Sequence, residues 1–232
     1  MSIRLSRGLL VTLLAVCVTT GPALAQVRKA GDVIVYNVTM SAQGSGMGQG
    51  SGGKLTVDIK QVDAEGSAQA TVTFTPTNPA GKIPSFPGTV SPDGAIHPTV
   101  TGFGTPHLGM SAQEIAAASS GVYGVMVQVM LQQFNALATA AAARGTLHVG
   151  DSWQATSNGL ISQDLTYKVT GREQHLGRDT FAIHFEGDPG AQGATSGQGY
   201  YDVSSHTVVA IQSATQLPGA HQSGTTDITL VP

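Results

Sequence analysis

Apolar and polar positions alternate with period two along much of this chain. Leu55, Val57 and Ile59 stand against Thr56, Asp58 and Lys60, and Ala68, Ala70, Val72 and Phe74 stand against Gln69, Thr71 and Thr73. Such alternation predicts strands that bury one face. Asp63 to Ser67, with Gly66 among them, turns the first strand into the second as an antiparallel hairpin. A second hairpin follows the same logic: Leu165, Tyr167 and Val169 alternate with Thr166, Lys168 and Thr170, and Phe181, Ile183 and Phe185 alternate with Ala182, His184 and Glu186, joined at Gly177. Residues 33–40, 200–203, 207–215 and 225–231 are further strands. A polar outer face points to antiparallel sheet, because strands of a buried parallel sheet read as continuous apolar runs.

Between the strand-forming regions the period changes. Val122, Val125, Met126, Val129, Met130, Phe134, Leu137 and Ala141 recur at steps of three and four, the spacing of one helical face. Gln128, Gln132, Asn135 and Thr139 lie on the other side together with Val127 and Leu131. Ser111-Ala112-Gln113-Glu114 has the form of a capping box, Gly121 and Gly124 predict a break or kink, and Gly145 after Arg144 predicts the stop. No residue between Glu114 and Arg144 is charged. A membrane span would need about 20 such residues, but Gln128, Gln132, Gln133 and Asn135 are costly in lipid, so a helix packed against or plugging a curved sheet is the better reading.

The chain therefore divides into a β half over residues 31–98, a helical segment over 111–144 and a β half over 150–231. The halves share an order of features: Gly31-Asp32 opens one and Gly150-Asp151-Ser152-Trp153 the other, and each closes on a turn segment, Val90 to Ile96 and Asp202 to Thr207. The general similarity of antiparallel hairpins accounts for this as well as a true repeat does. Residues 41–53 and 187–199 lack any period and read as loops, and 76–106, rich in Pro and Gly, reads as a surface wrap with short irregular strands.

Composition adds the compartment. Arg4 and Arg7 precede an apolar run from Leu9 to Val18, and Ala23-Leu24-Ala25 stands before Gln26, which is the form of a secretory signal peptide over residues 1–25. The rest, 26–232, is expected to be one β-rich domain that is exported to a periplasm or the medium and keeps no transmembrane anchor after cleavage. The single cysteine, Cys17, falls inside the signal, and Val16 occupies the place where a lipidation box carries a small residue, so cleavage is favoured over lipidation. The mature chain then has no disulfide and relies on an ordinary core. Loss of Arg4 and Arg7 makes the formal charge of −3 more negative. With Arg28-Lys29 as its lone adjacent basic pair, the chain is not suited to nucleic acid or to an anionic membrane surface.

Little of the sequence points to catalysis. The seven histidines form no ligand pair on a helix, and His184-Phe185-Glu186, whose first and third side chains share a strand face, reads as solvated surface rather than a metal site. A Gly-x-Ser-x-Gly elbow is absent, Gly193-Ala194-Thr195-Ser196-Gly197 having the wrong spacing. Asp58, Asp164, Glu173, Glu186 and Asp202 could supply the paired carboxylates of a glycosidase, but nothing selects two of them. Asn37-Val38-Thr39 matches a glycosylation sequon but lies in a predicted strand. No cofactor, metal or catalytic residue is implied. Trp153, the single tryptophan, reads as a core anchor at a strand start or as the wall of a ligand pocket.

An exported, mainly β chain with a curved antiparallel sheet or half-barrel and one long uncharged helix between its halves resembles the half-barrel of the periplasmic lipoprotein carriers and mycobacterial envelope lipoproteins. The resemblance lies in element order over residues 31–231. It departs from those families in lacking a lipidation cysteine and an N-terminal helix. It implies a non-enzymatic envelope protein that binds a lipid or other apolar ligand between the sheet and the helix face carrying Met126, Val129, Met130 and Phe134, with Trp153 nearby. The other reading is a secreted structural module with a filled core that meets an envelope protein partner.

Overall fold

Eleven strands and one helix make up the computed structural model, which describes residues 28–43, 51–78, 83–100, 112–157, 162–187, 193–216 and 223–232. In chain order the strands are β1 (Val33–Gln43), β2 (Ser51–Val62), β3 (Ala68–Pro76), β4 (Ser85–Val90) and β5 (Ile96–Pro98). The helix α1 (Ala112–Arg144) follows, and then β6 (Ser152–Ser157), β7 (Gln163–His175), β8 (Arg178–Gly187), β9 (Ala194–Asp202), β10 (Thr207–Gln216) and β11 (Ser223–Leu230). The fold is mainly β, a single open antiparallel sheet ordered β5-β4-β3-β2-β1-β11-β10-β9-β8-β7-β6. The signal segment, the capping Ser111 and residues 44–50 and 188–192 of the two expected loops lie outside the described residues.

Alternation builds the core as expected. Leu55, Val57 and Ile59 of β2, Ala68, Ala70, Val72 and Phe74 of β3, and Leu165, Tyr167 and Val169 of β7 all point inward and are buried. Each large apolar side chain among them contributes roughly 1.5–3 kcal/mol when fully withdrawn from water. Two stretches expected to be loops are instead strand. Residues 51–53 begin β2 and residues 194–199 belong to β9. Glycines hide the period there but serve the packing: a Cβ on Gly197 would overlap the Phe185 ring of β8, and one on Gly199 would overlap Leu137 of α1.

Strand order dictates the path of the helix. β5 and β6 are opposite edges of one sheet, and α1 is the element that connects them in sequence, so it must cross a face of the sheet. That face is concave. Asn135 bonds to Ile96 of β5, while Leu137, two residues on, packs against Gly199 of β9. On a flat sheet those strands, seven spacings apart, would be separated by about 34 Å.

The helix runs unbroken from Ala112 to Arg144, without the expected interruption near Gly121 and Gly124. Gly124 is there for close approach: a Cβ would come within 2.6 Å of Val100 and 3.1 Å of Phe86. The apolar face is also rotated from the expected one. Val127 and Leu131, assigned to the far side, are 0% exposed, whereas Val129, assigned to the inner face, is 52% exposed. The rotation follows from the second duty of the helix, which is to cover an edge. Asn135 donates from Nδ2 to the Ile96 carbonyl and accepts the Ile96 N–H at Oδ1, both at 2.7 Å. Gln128 donates to the Pro98 carbonyl at 3.2 Å, and Thr139 donates to Asp93 at 2.8 Å. The polar stripe therefore takes the place of a twelfth strand along β5, the treatment an otherwise bare edge requires.

The two halves begin on the same turn. In the first, Lys29 N–H donates to the Asp32 carboxylate (2.7 Å), Asp32 N–H to the Lys29 carbonyl (3.0 Å) and Gly31 N–H to the Ile59 carbonyl (2.8 Å), and Ile59 N–H returns to the Asp32 carbonyl (2.9 Å). In the second, His148, Gly150, Asp151 and Val169 make the same four bonds at 3.0, 3.0, 2.9 and 2.9 Å. Gly31 and Gly150 have φ of +94° and +96°, values that favour glycine. The ladders shift register just beyond, between Ile59 and Gln61 and between Val169 and Gly171. Strands β1 to β5 and β6 to β10 then lie in the sheet in the same sequence, with β11 joining them.

Replacing Asn135 with Ala leaves both main-chain groups of Ile96 without their partner and should lower unfolding free energy by about 1–3 kcal/mol, read from the shift in urea midpoint. Gly199→Val should cost a similar amount, about 1–3 kcal/mol by overpacking, measured in the same titration.

Candidate functional site

The space between the concave face and α1 is where the five sequence-predicted residues were expected to meet. Met130, 3% exposed, and Phe134, 0% exposed, point into it. Phe134 meets Tyr36 of β1 edge to face, with centroids 5.3 Å apart and planes at 81°. Met126 is half-buried against the same core. Val129 faces away from this space, because the helix turns its inner face toward Val127 and Leu131. Trp153 sits on the edge strand β6 and stacks on Tyr167 at 5.5 Å and 15°, and Tyr167 in turn leans on Phe185 at 6.1 Å. The structure thus groups Met126, Met130 and Phe134 on α1, places Trp153 at the sheet edge and leaves Val129 outside.

Some polar atoms are buried as well. Among the described residues, Gln133 Oε1, Trp153 Nε1, Ser157 Oγ and Tyr201 OH are buried without a hydrogen-bond partner, as is Asp227 Oδ1. Burial pushes the phenols of Tyr36, Tyr167 and Tyr201 well above the ordinary tyrosine range, so all three stay protonated at neutral pH.

One end of the interior is built from residues that the sequence patterns did not single out as a site. The β4–β5 turn and the β9–β10 turn, the matched closing segments of the two halves, come together there. Arg28 bridges them, donating from Nη1 to the Ser91 carbonyl at 3.0 Å and from Nη2 to the His206 carbonyl at 3.4 Å. A Cβ on Gly94 would overlap the His206 carbonyl, which shows how closely the turns meet. Each turn is braced by an aspartate. Asp93 accepts from Ser91 Oγ, from the Ala95 N–H at 3.2 Å and from Thr139. Asp202 accepts from the Ser204 N–H at 2.9 Å, Ser204 Oγ at 2.6 Å and Ser205 Oγ at 2.8 Å, and pairs with Arg178 at 3.3 Å. The available sequence signal was the match between the two turn segments. It marked them as equivalent but not as neighbours.

Charges elsewhere are dispersed. His184 and Glu186 lie 3.9 Å apart on the solvated face, and among the described residues no three His, Cys, Asp or Glu side chains converge on a metal-sized site. No helix of the described residues is long and apolar enough to cross a membrane.

No family model and no curated protein matches the sequence. Among solved structures, the chain is similar to a candidate exported protein with a YmcC-like fold from Bacteroides fragilis, at 12% identity and a TM-score of 0.34, over 88% of this chain and 97% of that one. It is also similar to the hypothetical lipoprotein YmcC of Escherichia coli, at 13% identity and a TM-score of 0.27, over 89% of each chain. A third is a DUF1329 family protein from Desulfovibrio piger, at 11% identity and a TM-score of 0.26, over 88% of this chain and 86% of that one. Likenesses this distant transfer neither a ligand nor a residue role.

The two turn aspartates predict an acid-sensitive seam. Burial pushes each carboxyl up, but the hydrogen bonds outweigh it: those from Ser91, Thr139 and Ala95, with the charge of His97, for Asp93, and those from Ser204, Ser205 and Arg178 for Asp202. Both therefore sit below the ordinary 3.8. A folded value below the unfolded one gives stability that is fully present above the unfolded pKa and is lost as pH falls through the folded pKa. Unfolding free energy measured by urea titration at successive pH values should drop through this acid range, and the drop should be shallower in Asp202→Asn.

Proposed function

We propose that the chain is an exported, non-enzymatic envelope protein that carries an apolar ligand, a lipid or lipid-like molecule, between the curved sheet and α1. The observation that supports this most directly is the nature of the cover. A helix with no charge between Glu114 and Arg144 lies across a concave apolar face, and its polar stripe is committed to the β5 edge. The surface it shares with the sheet is apolar at its meeting points, Phe134 on Tyr36 and Leu137 on Gly199, with Met130 buried in the same core. A ligand entering between them would replace protein–protein apolar contact with protein–ligand contact, at roughly 0.8 kcal/mol per buried CH₂. Methionines at 126 and 130 suit a wall that must reshape around a guest. The half-buried Tyr123, Met126, Trp153 and Phe181 fringe this interior and are the places where a guest would first make contact.

A second reading has its own support. Met130 and Phe134 are fully enclosed by protein, as in a filled core, and β6 is an edge strand of six residues without charge or proline. An envelope protein partner adding a strand to β6 would fit that edge.

Native mass spectrometry of the protein purified without detergent from its own exporting cells separates the two. The carrier reading expects a reproducible lipid adduct that is lost on organic extraction, regained with added lipid and abolished by Met130→Lys in a variant that still folds. A bare mass that takes up no added lipid would overturn it and leave the interaction module.

A further inference from the structure

We infer that Arg28, Arg178, Tyr36 and Tyr201 form a head-group site at one end of the apolar interior, and that the ligand it selects is a long-chain carboxylate. The inference rests on the carrier reading and narrows its ligand class.

The position comes from strand register. Phe74, Leu55 and Tyr36 stand opposite one another across β3, β2 and β1, and Tyr36 stands opposite Leu230 of β11. On the other side Val208, Tyr201 and Phe181 are aligned across β10, β9 and β8. In these two rows of apolar side chains the tyrosines are the buried polar members. Phe134 of α1 packs on Tyr36, so the phenols lie where the helix-covered apolar space meets the seam between the two turns.

Tyr201 is 1% exposed, and its hydroxyl has no partner among the described residues. A buried, unpaired hydroxyl is a standing cost that folded proteins rarely keep without a use. Beside it, Arg28 spends its bonds on two neutral carbonyls, and no carboxylate of the described residues lies within ion-pair distance of it. Asp93 and Asp202, the nearby acids, are held by Ser91, Thr139, Ser204 and Ser205 instead. Arg178 uses one nitrogen, Nη1, for both Asp202 and Ser205, each at 3.3 Å. Both guanidinium groups are close enough to act on the Tyr36 phenol, and Asp93, Arg28 and Asp202 all act on that of Tyr201, the two aspartates against the arginine. Burial lowers the pKa of Arg28, and the charge of Asp93 offsets that only in part.

The protein gives Tyr201 no acceptor and Arg28 no carboxylate in direct contact, and a ligand that serves both must continue into an apolar interior. A carboxylate on an alkyl chain supplies all three, since its two oxygens accept from several donors at once. A water molecule would satisfy Tyr201 and nothing else.

Equilibrium dialysis of the delipidated protein against radiolabelled palmitate and methyl palmitate tests this, since the two share a tail and differ in head charge. Palmitate should bind about tenfold more tightly or better, the range expected of hydrogen bonds to a charged group. Tyr201→Phe and Arg28→Gln should each shrink that preference while leaving methyl palmitate binding unchanged. Tyr201→Phe should also raise the melting temperature of the ligand-free protein, because it deletes an unpaired buried hydroxyl. Should Arg28→Gln fail to fold, the ester comparison and Tyr201→Phe still decide the matter. Equal affinity for acid and ester, or a preference that Tyr201→Phe leaves intact, would overturn the head-group site while the carrier reading stands. Binding of neither ligand would remove the carrier reading and this site with it.

Discussion

The whole architecture depends on one topological constraint: a single sheet whose opposite edges, β5 and β6, are consecutive strands of the chain. Any connection between them must cross the sheet, and a helix does so with every backbone bond in its interior satisfied within the element. Crossing fixes what the helix surface must be. The side over β9 and β10 has to be apolar and close-packed, which Leu137 against Gly199 provides. The side along β5 has to offer hydrogen bonds, which Gln128, Asn135 and Thr139 provide. Curvature follows as well, because a helix that touches β5 and β9 within two residues can do so only where the sheet bends around it.

This division of labour explains which parts of the fold could be read from sequence. Period-two alternation locates β2, β3, β7 and β8, whose inward faces are apolar, whereas β10 departs from it with Val208 to Ile211 all buried. It failed for the first part of β9, where Gly197 and Gly199 make room for Phe185 and Leu137 and so carry no hydrophobic signal of their own. It also failed to set the helix rotation. Period alone counted Val129 as inner and Val127 as outer, and the reverse holds, because Asn135 and Gln128 turn that flank toward an edge strand that the sequence did not reveal. Polar residues on a helix normally signal water. Here they signal a main chain in need of partners.

The candidate site was legible to a similar degree. Met130 and Phe134 lie in the interior because they lie on the shared part of the expected and observed faces, and Trp153 occupies the edge strand that Gly150-Asp151 introduces. The polar end was hidden for a different reason. Arg28, Tyr36, Arg178 and Tyr201 are far apart in sequence and carry no spacing motif. Their convergence depends on strand register and on the meeting of two turns, both properties of the curved sheet.

The likeness of the two halves gives that meeting its physical sense. The hydrogen-bonded turns at Asp32 and Asp151 show that the two halves start alike, and the turns braced by Asp93 and Asp202 show that they end alike. Two such halves laid side by side in a flat sheet would hold their closing turns far apart. The bend that lets one helix cover both halves also brings those turns into contact, with carbonyls of both at the seam. Carbonyls brought together repel, and a single guanidinium between them resolves the clash by donating to both, as Arg28 does. A cation is thus required at the seam for structural reasons, yet two neutral acceptors do not balance its charge. The fold itself places charged groups, Arg28 and Arg178 with Asp93 and Asp202, at one end of an otherwise apolar interior, and a charged guest is not needed to explain why Arg28 is there, only why it has no carboxylate in contact and why the neighbouring Tyr201 hydroxyl is left unpaired.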